Sequence, residues 1–394
     1  MIKPRIASDL EAYLLFDNKN TENIYCIGSL TYDRYIEAQE TNKDAIMQAA
    51  GYFDGEHTLS EIDDFLQSDH NLKLDVYKLN SLFEHAGLIT NTDIEYDNKN
   101  ELEKHGIQIA SVSLSRFQNM FSILAKSSHS LLLTGFLLCI ASLPLIPGVF
   151  KELLFVNIYK IVDSSTVSLI ISLAVTTISV LLHEISHAVA AKKYGLIPKQ
   201  MKITLYLYLN PMAYILTNGI YTLERKKRAF IWVAGILCNF MIFATAAIGQ
   251  YFSQGTLHNL FLVICYSNLG LIVTNLIPFL PLDGYFLLTT LLKFPNLRKK
   301  SFSGIKGLLN NRSIEIKGIY LMYYAISISI LIYIVLTPII QVYHNFLIGY
   351  SSQHYWLDGL AEIKMYLILM MIIVFSRISV KIKDKRKKIF VKVP

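Results

Sequence analysis

The stretch HEISH, residues 183–187, lies inside an apolar run that extends over residues 167–191. On a helix, residues four apart share one face, so His183 and His187 can bind the same metal ion. The glutamate between them, Glu184, can act as general base toward a water that zinc activates. Acidic and imidazole side chains are costly in hydrocarbon, and their presence in an apolar run therefore indicates a catalytic zinc site within a membrane.

The composition indicates a membrane protein with a soluble N-terminal part. Of the 394 residues, 53% are hydrophobic, and the mean hydropathy is +0.39, which is too apolar for two soluble domains. Of the 30 acidic residues, 21 lie between Asp9 and Glu103, whereas 26 of the 37 basic residues follow Lys126. We therefore predict an acidic soluble domain over residues 1–100 and a basic membrane domain after it. The net charge of +7 then belongs to loops between spans, and no nucleic-acid partner is expected.

Hydropathy predicts six membrane spans within a membrane domain of residues 131–380. The six spans are Leu131–Phe150, Val167–Ala191, Ala229–Phe252, Leu260–Leu292, Gly318–Val342 and Met365–Val380. The fourth is too long for one uninterrupted helix and contains Pro278 and Pro281, so we expect its helix to break.

The distribution of lysine and arginine predicts the orientation of these spans. The segments 192–202, 224–228, 293–317 and 377–394 carry 4, 4, 7 and 8 basic residues, and the alternate segments 151–166, 253–258 and 341–363 carry 2, 0 and 0. Because basic loops stay in the cytosol, both termini are predicted to be cytosolic. The HEISH stretch then lies near the cytosolic end of the second span. The basic tail, residues 381–394, is expected to rest on anionic lipid.

The N-terminal domain has the pattern of a small α+β fold. Two strands are predicted within residues 12–27, and residues 32–50 have helical spacing. Thr58 and Glu61 have the spacing of a capping box at the start of a further helix. Gly87 follows a last amphipathic stretch as its predicted C-cap.

Two segments of this domain carry a family resemblance. DGEHTLSEI, residues 54–62, and LFEHAGLI, residues 82–89, resemble motifs of the PqqD-like module, the RiPP recognition element. The resemblance implies a winged-helix domain that binds the leader segment of a ribosomally made peptide as an added strand. A domain that only packs against the membrane domain is the alternative.

Residues 101–130 form an amphipathic connector between the two domains. Their apolar stripe runs beside Arg116 and Lys126, which predicts a helix in the membrane interface. Packing beneath the N-terminal domain is the alternative.

A catalytic zinc site needs a third protein ligand besides the two histidines. A metzincin pattern would have glycine and histidine where Ala190 and Lys193 stand. A thermolysin-like pattern would have a glutamate roughly twenty residues on, whereas the next one is Glu224, in a basic loop. Asp283 is the remaining candidate, because besides Glu184 it is the only acid deep in an apolar run.

Asp283 lies in NLIPFLPLDG, residues 275–284, and this segment together with HEISH resembles the site-2 protease family (peptidase family M50). The resemblance covers residues 167–292. It implies that His183, His187 and Asp283 bind zinc and that the fold is a polytopic helical core.

The resemblance extends to two further segments. AGILCN, residues 234–239, implies that Asn239 faces the active cleft as a catalytic residue that assists at the scissile carbonyl. Residues 201–217 are β-branched and aromatic and imply a re-entrant β-hairpin whose edge could hold an extended substrate. A structural asparagine and a hairpin without a substrate role are the alternatives.

These patterns together predict a mainly α-helical, multi-pass zinc metalloendopeptidase of the bacterial cytoplasmic membrane. A leader-binding domain joined to such a protease indicates maturation or release of a ribosomally synthesised modified peptide, as in bacterial peptide-modification clusters. One alternative is regulated intramembrane proteolysis of a membrane-anchored signalling protein. Another is a non-catalytic membrane protein for peptide export or immunity. The substrate, the cleavage site and the oligomeric state stay open.

Overall fold

A computed structural model describes residues 3–18, 22–68, 74–91, 106–154, 161–206, 210–309 and 318–353. The protein is mainly α-helical, and four of the described helical segments are long and apolar enough to cross a membrane. It is therefore a membrane protein. The chain forms two compact units, of which the first comprises residues 1–98, 111–202 and 213–294, and the second residues 99–110, 203–212 and 295–394. The domain boundaries at residues 100, 130 and 380 stay predictions.

The N-terminal part of the first unit is a three-stranded sheet followed by three helices. These elements are β1 (Leu10–Phe16), β2 (Ile24–Ser29), β3 (Arg34–Gln39), α1 (Glu40–Ala50), α2 (Leu59–Ser68) and α3 (Val76–Ala86). The strands are antiparallel in the order β1-β2-β3. The helices enclose an apolar core that includes Phe53, Ile62, Leu66 and Phe83. The winged-helix assignment and leader binding stay predictions.

The two predicted N-terminal strands are confirmed, whereas the helix predicted over residues 32–50 is wrong for its first part. Residues Arg34–Gln39 form β3, in which Ile36 pairs with Ile27 of β2. Aromatic and β-branched residues fit a half-buried sheet, and pairing with β2 outweighs their helical spacing. The helix α1 therefore begins only at Glu40.

The predicted helix ends of this domain are confirmed. The backbone N–H of Thr58 donates to Oε2 of Glu61 at 2.7 Å, and the N–H of Glu61 donates to Oγ1 of Thr58 at 3.4 Å, which completes a capping box. The donor N–H of Thr58 holds the pKa of Glu61 below its ordinary value, so the carboxylate form is favoured there. Gly87 ends α3 with a φ of 71°, in the left-handed region that favours glycine.

The connector contains a strand where a helix was expected. Its elements are β4 (Gly106–Ser113), a 3₁₀ turn (Ser115–Phe117) and α4 (Gln118–Lys126). The interfacial-helix prediction is therefore wrong over residues 106–113. Ile107 and Ile109 alternate with polar or small residues at the period of a strand, and pairing with a neighbouring strand decides the outcome.

Four helical segments match the first four predicted spans. They are Ser128–Leu153, Thr166–Lys193, Arg225–Tyr251 and Gly255–Leu276. The corresponding helices are α5 (Ser128–Ser142) and α6 (Ile146–Leu153), joined by a 3₁₀ turn (Leu143–Leu145), then α7 (Ser165–Lys193), α8 (Arg225–Tyr251) and α9 (Gly255–Leu276). The total of six spans stays a prediction, because residues 365–380 lie outside the described part of the chain.

The helix break predicted in the fourth span is confirmed. The helix α9 ends at Leu276, and a separate helix, α10, runs over Asp283–Leu292. Pro278 and Pro281 lie between them, where proline removes a backbone donor and clashes with the preceding turn. Asp283 is therefore the first residue of its own helix.

The remaining elements comprise two strands and two helices. They are β5 (Pro198–Tyr206), β6 (Asn210–Thr217), α11 (Leu297–Leu309) and α12 (Gly318–Gln353). The strands predicted within residues 201–217 are confirmed, and they form a sheet in the order β4-β5-β6. In the second unit, α11 packs on α12, and the rings of Phe302 and Tyr324 meet with their centroids 5.0 Å apart.

Two side-chain hydrogen bonds join α7 to α9 within the candidate spans. The hydroxyls of Thr176 and Ser267 lie 3.0 Å apart, and Nδ2 of Asn268 donates to Oγ of Ser179, also at 3.0 Å. Lipid offers no competing hydrogen-bond partner and little hydrophobic drive for helix association, so such bonds hold membrane helices in register.

Candidate metal centre

Three donor atoms from two helices converge at one point. Nε2 of His183 lies 2.9 Å and Nε2 of His187 lies 3.1 Å from the same atom, Oδ2 of Asp283. The two imidazole Nε2 atoms are themselves 3.2 Å apart. His183 is only 4% exposed, so the cluster lies inside the protein rather than on its surface.

The arrangement of these donors fits a zinc ion. Ligand atoms that lie about 2.05 Å from a tetrahedral zinc ion are about 3.3 Å from one another. The separations among the three donor atoms here are close to that value. Two imidazoles and one carboxylate are also a usual ligand set for catalytic zinc, with a fourth position left for water. A ligand atom of Glu184 lies within 4.8 Å of those of His183 and His187, which is close enough for a base to act beside the metal.

The second nitrogen of each imidazole is held by α8. Nδ1 of His187 donates to the carbonyl of Ile231 at 2.7 Å, which leaves Nε2 as the free acceptor that metal binding requires. Nδ1 of His183 lies 3.0 Å from the side-chain amide of Asn239.

The orientation of the Asn239 amide determines which nitrogen of His183 carries the proton. Its nitrogen faces Nδ1 of His183, while its oxygen is buried without a partner among the described residues. Amide orientation is assigned from the hydrogen-bond network, and rotation by 180° would let Oδ1 accept a hydrogen bond from Nδ1–H of His183. Nε2 of His183 would then be free for a metal, as it is in His187.

Glu184 is held by the hairpin rather than by the metal ligands. Its Oε2 accepts a hydrogen bond at 3.2 Å from the backbone N–H of Ile215, in β6. One carboxylate oxygen is thereby fixed, and the other is left for a proton-transfer partner.

Gly235 makes room for both imidazoles. A Cβ at this position would lie 2.5 Å from Nε2 of His187 and equally close to Cε1 of His183, well inside the usual contact distance of about 3.5 Å. The rings of Trp232 and Phe286 stack nearby with centroids 4.8 Å apart, and this contact holds α8 against the start of α10.

The structure brings together all five site residues that the sequence nominated. His183, Glu184, His187 and Asp283 form the cluster, and Asn239 stands behind His183. Their roles as ligands, base and carbonyl-polarising group stay predictions.

Sequence reasoning missed the contributions of Ile215, Ile231 and Gly235. The first two act through backbone atoms, which leave no residue-type signal. The available signal for Gly235 was its place in AGILCN, residues 234–239.

Replacing Asp283 with asparagine should weaken zinc binding by more than about 100-fold. Loss of an outer contact to a ligand already costs 10- to 100-fold, and this change removes the ligand charge itself. Chelator competition on the purified protein would measure the Kd. The exposed Asp163→Asn is the matched control and should bind zinc as the wild type does. An unchanged Kd in Asp283→Asn would remove this residue from the ligand set.

The chain is similar to one curated protein of Bacillus subtilis (strain 168), named "Putative peptide zinc metalloprotease protein YydH". The two are 29% identical over 116 residues, which is 29% of this chain and 44% of that protein, so less than two thirds of the relative is spanned. No family model matches the chain, and no solved structure does. The similarity supports a distant relationship to a protein of that name.

Proposed function

We propose that this protein is an intramembrane zinc metalloprotease of the site-2 protease type. The observation that carries the proposal is the convergence of His183, His187 and Asp283 on one point beside Glu184. The membrane character of the helices and the similarity to a protein named as a zinc metalloprotease support it.

In this proposal His183, His187 and Asp283 hold the metal, and Glu184 moves protons. A bound zinc would polarise the scissile carbonyl and lower the pKa of a nearby water. Glu184 takes the proton of the attacking water on its carboxylate and delivers it to the leaving amine nitrogen. The N–H of Ile215 keeps the carboxylate aimed while it does so.

The sheet supports a substrate that binds in extended form. The strand β6 is an edge of the sheet, and the N–H of Ile215 in this strand already reaches Glu184. A peptide must leave the helical state before its backbone carbonyl can be attacked, and an edge strand can hold it extended. The predicted cytosolic end of α7 would admit water to the site.

The substrate we favour is a ribosomally synthesised modified peptide, cut to remove its leader or to release it. The motifs at residues 54–62 and 82–89 support this choice, because they resemble those of a leader-binding module. The acidic N-terminal domain would capture the peptide in the cytosol of a bacterial cell. The membrane domain, in the cytoplasmic membrane, would then cut it.

The decisive experiment compares the wild type with Glu184→Ala in the organism of origin. Mass spectrometry would identify which peptide accumulates uncut in the variant, and the exposed Glu224→Ala serves as the matched control. Accumulation of a small modified peptide would support maturation. Accumulation of a membrane-anchored regulator would support signalling proteolysis instead. Identical peptide profiles would contradict both and favour a non-catalytic role in export or immunity.

A further inference from the structure

One segment of the chain, residues 215–231, is hydrogen-bonded at both of its ends to residues of the candidate metal centre. At its start, the N–H of Ile215 donates to Oε2 of Glu184 at 3.2 Å. At its end, the carbonyl of Ile231 accepts from Nδ1 of His187 at 2.7 Å. The position of this segment therefore sets the orientation of both the proposed base and one proposed ligand.

Between these ends, the 215–231 segment contacts the N-terminal domain. The N–H of Gly219 donates to Oδ1 of Asp33 at 2.9 Å, and Nδ2 of Asn218 donates to the carbonyl of Leu30 at 3.2 Å. Gly219 has a φ of 83°, and a Cβ there would lie 2.8 Å from Cδ2 of Leu30, so the turn fits closely against the loop between β2 and β3.

The ring of Tyr221 extends this contact toward β3. It meets the ring of Tyr35 edge-on, with centroids 6.1 Å apart. The thiol of Cys26, in β2, donates to the carbonyl of Tyr221 at 3.5 Å. The 3₁₀ turn at residues 220–222 is thereby fixed on the N-terminal sheet.

Arg228 completes the contact from the first turn of α8. Its guanidinium donates to the carbonyls of Leu15 in β1 and Tyr221, and it lies over the ring of Phe16 at 5.0 Å. The residue is only 1% exposed. A buried guanidinium that loses its carbonyl acceptors incurs a large free-energy cost. Separating the N-terminal sheet from α8 would therefore be strongly unfavourable.

We infer that the N-terminal domain positions the metal centre through the 215–231 segment, with Arg228 and Asp33 as its two positioning residues. Arg228 fixes the turn of α8 that precedes Ile231, and Asp33 fixes the turn that follows β6. The inference rests on the proposed function for the roles of Glu184 and His187. It adds that the N-terminal domain, besides any peptide it captures, is required for the geometry of the site.

The test uses the full chain in lipid nanodiscs, with the variants Arg228→Ala and Asp33→Ala. The matched controls are Lys226→Ala, exposed two residues away on α8, and Asp64→Ala, exposed on α2. Three properties are measured: the Kd for zinc by chelator competition, the d–d absorption bands of the cobalt(II)-substituted protein, and amide hydrogen exchange at Ile215.

Both residues act on the ligands only through other residues, so we expect effects at or below the low end of the 10- to 100-fold range for direct outer contacts. Arg228→Ala should weaken zinc binding about tenfold and Asp33→Ala about threefold. Both should shift the cobalt bands and speed exchange at Ile215, while the two controls match the wild type. A shifted cobalt spectrum reports altered ligand geometry, which simple loss of stability would not produce.

Wild-type zinc affinity, cobalt bands and exchange in both variants would overturn the inference. If Arg228→Ala fails to fold, Asp33→Ala decides alone, because it lies outside the membrane segments. A wild-type protein that binds no zinc would instead contradict the proposed function. Amide exchange at Ile215 would then still decide the inference. Faster exchange in the variants would support positioning by the N-terminal domain, and unchanged exchange would overturn it.

Discussion

Glu184→Gln is expected to lower peptide hydrolysis by between about 10²- and 10⁴-fold while zinc binds as in the wild type. Glutamine has the same shape and its amide oxygen can still accept the N–H of Ile215, but it cannot take a proton from water. Cleavage of an extended peptide and the zinc Kd would be measured on the same preparation.

The control for this change is Glu224→Gln, which alters an exposed glutamate at the N-terminus of α8. It should leave both cleavage and zinc binding intact. Full cleavage by Glu184→Gln would disprove its role as base. Loss of zinc together with cleavage would instead make Glu184 a ligand or a structural residue.

Gly235→Ala should weaken zinc binding by at least about 100-fold even though alanine is the better helix former. The new methyl group would collide with both imidazoles at the face where their Nε2 atoms converge, so His183 and His187 must move apart. Helix propensity alone would stabilise α8 by about 1 kcal/mol, so the variant is expected to fold. The collision costs about 1–3 kcal/mol and the helix gain offsets only part of it, so we expect zinc affinity to fall far more than thermal stability.

Gly270→Ala provides the matched control, because it makes the same change in another membrane helix. A Cβ on Gly270 meets no atom within 4 Å among the described residues. This variant should keep wild-type zinc affinity. If Gly235→Ala also kept it, the close approach of α8 to the imidazoles would be irrelevant to metal binding.

The sequence was sufficient to nominate the side chains of the candidate site. His183 and His187 share a helix face by spacing alone, and Asp283 stood out as an acid in an apolar run. The break that makes Asp283 the first residue of α10 followed from Pro278 and Pro281. Each of these signals is local and depends on residue type.

Contacts made by the backbone could not be predicted in this way. Any residue but proline could supply the N–H at Ile215, and any residue could supply the carbonyl at Ile231, so only the fold identifies them. The errors at β3 and β4 have the same origin, because pairing with another strand outweighed local helical spacing. The burial of Arg228 was equally hidden, since it stands in a run of four basic residues that reads as a solvated loop.

The hydrogen bonds between α7 and α9 have a consequence for where a substrate would be cut. A slide of one turn would break both the Thr176–Ser267 and the Ser179–Asn268 bonds. Ser179 precedes His183 by four residues, about 6 Å along the axis, so the bonds fix the height of the metal centre relative to α9. In the proposed protease the scissile bond of a substrate would then have to reach a site whose height along α9 does not vary.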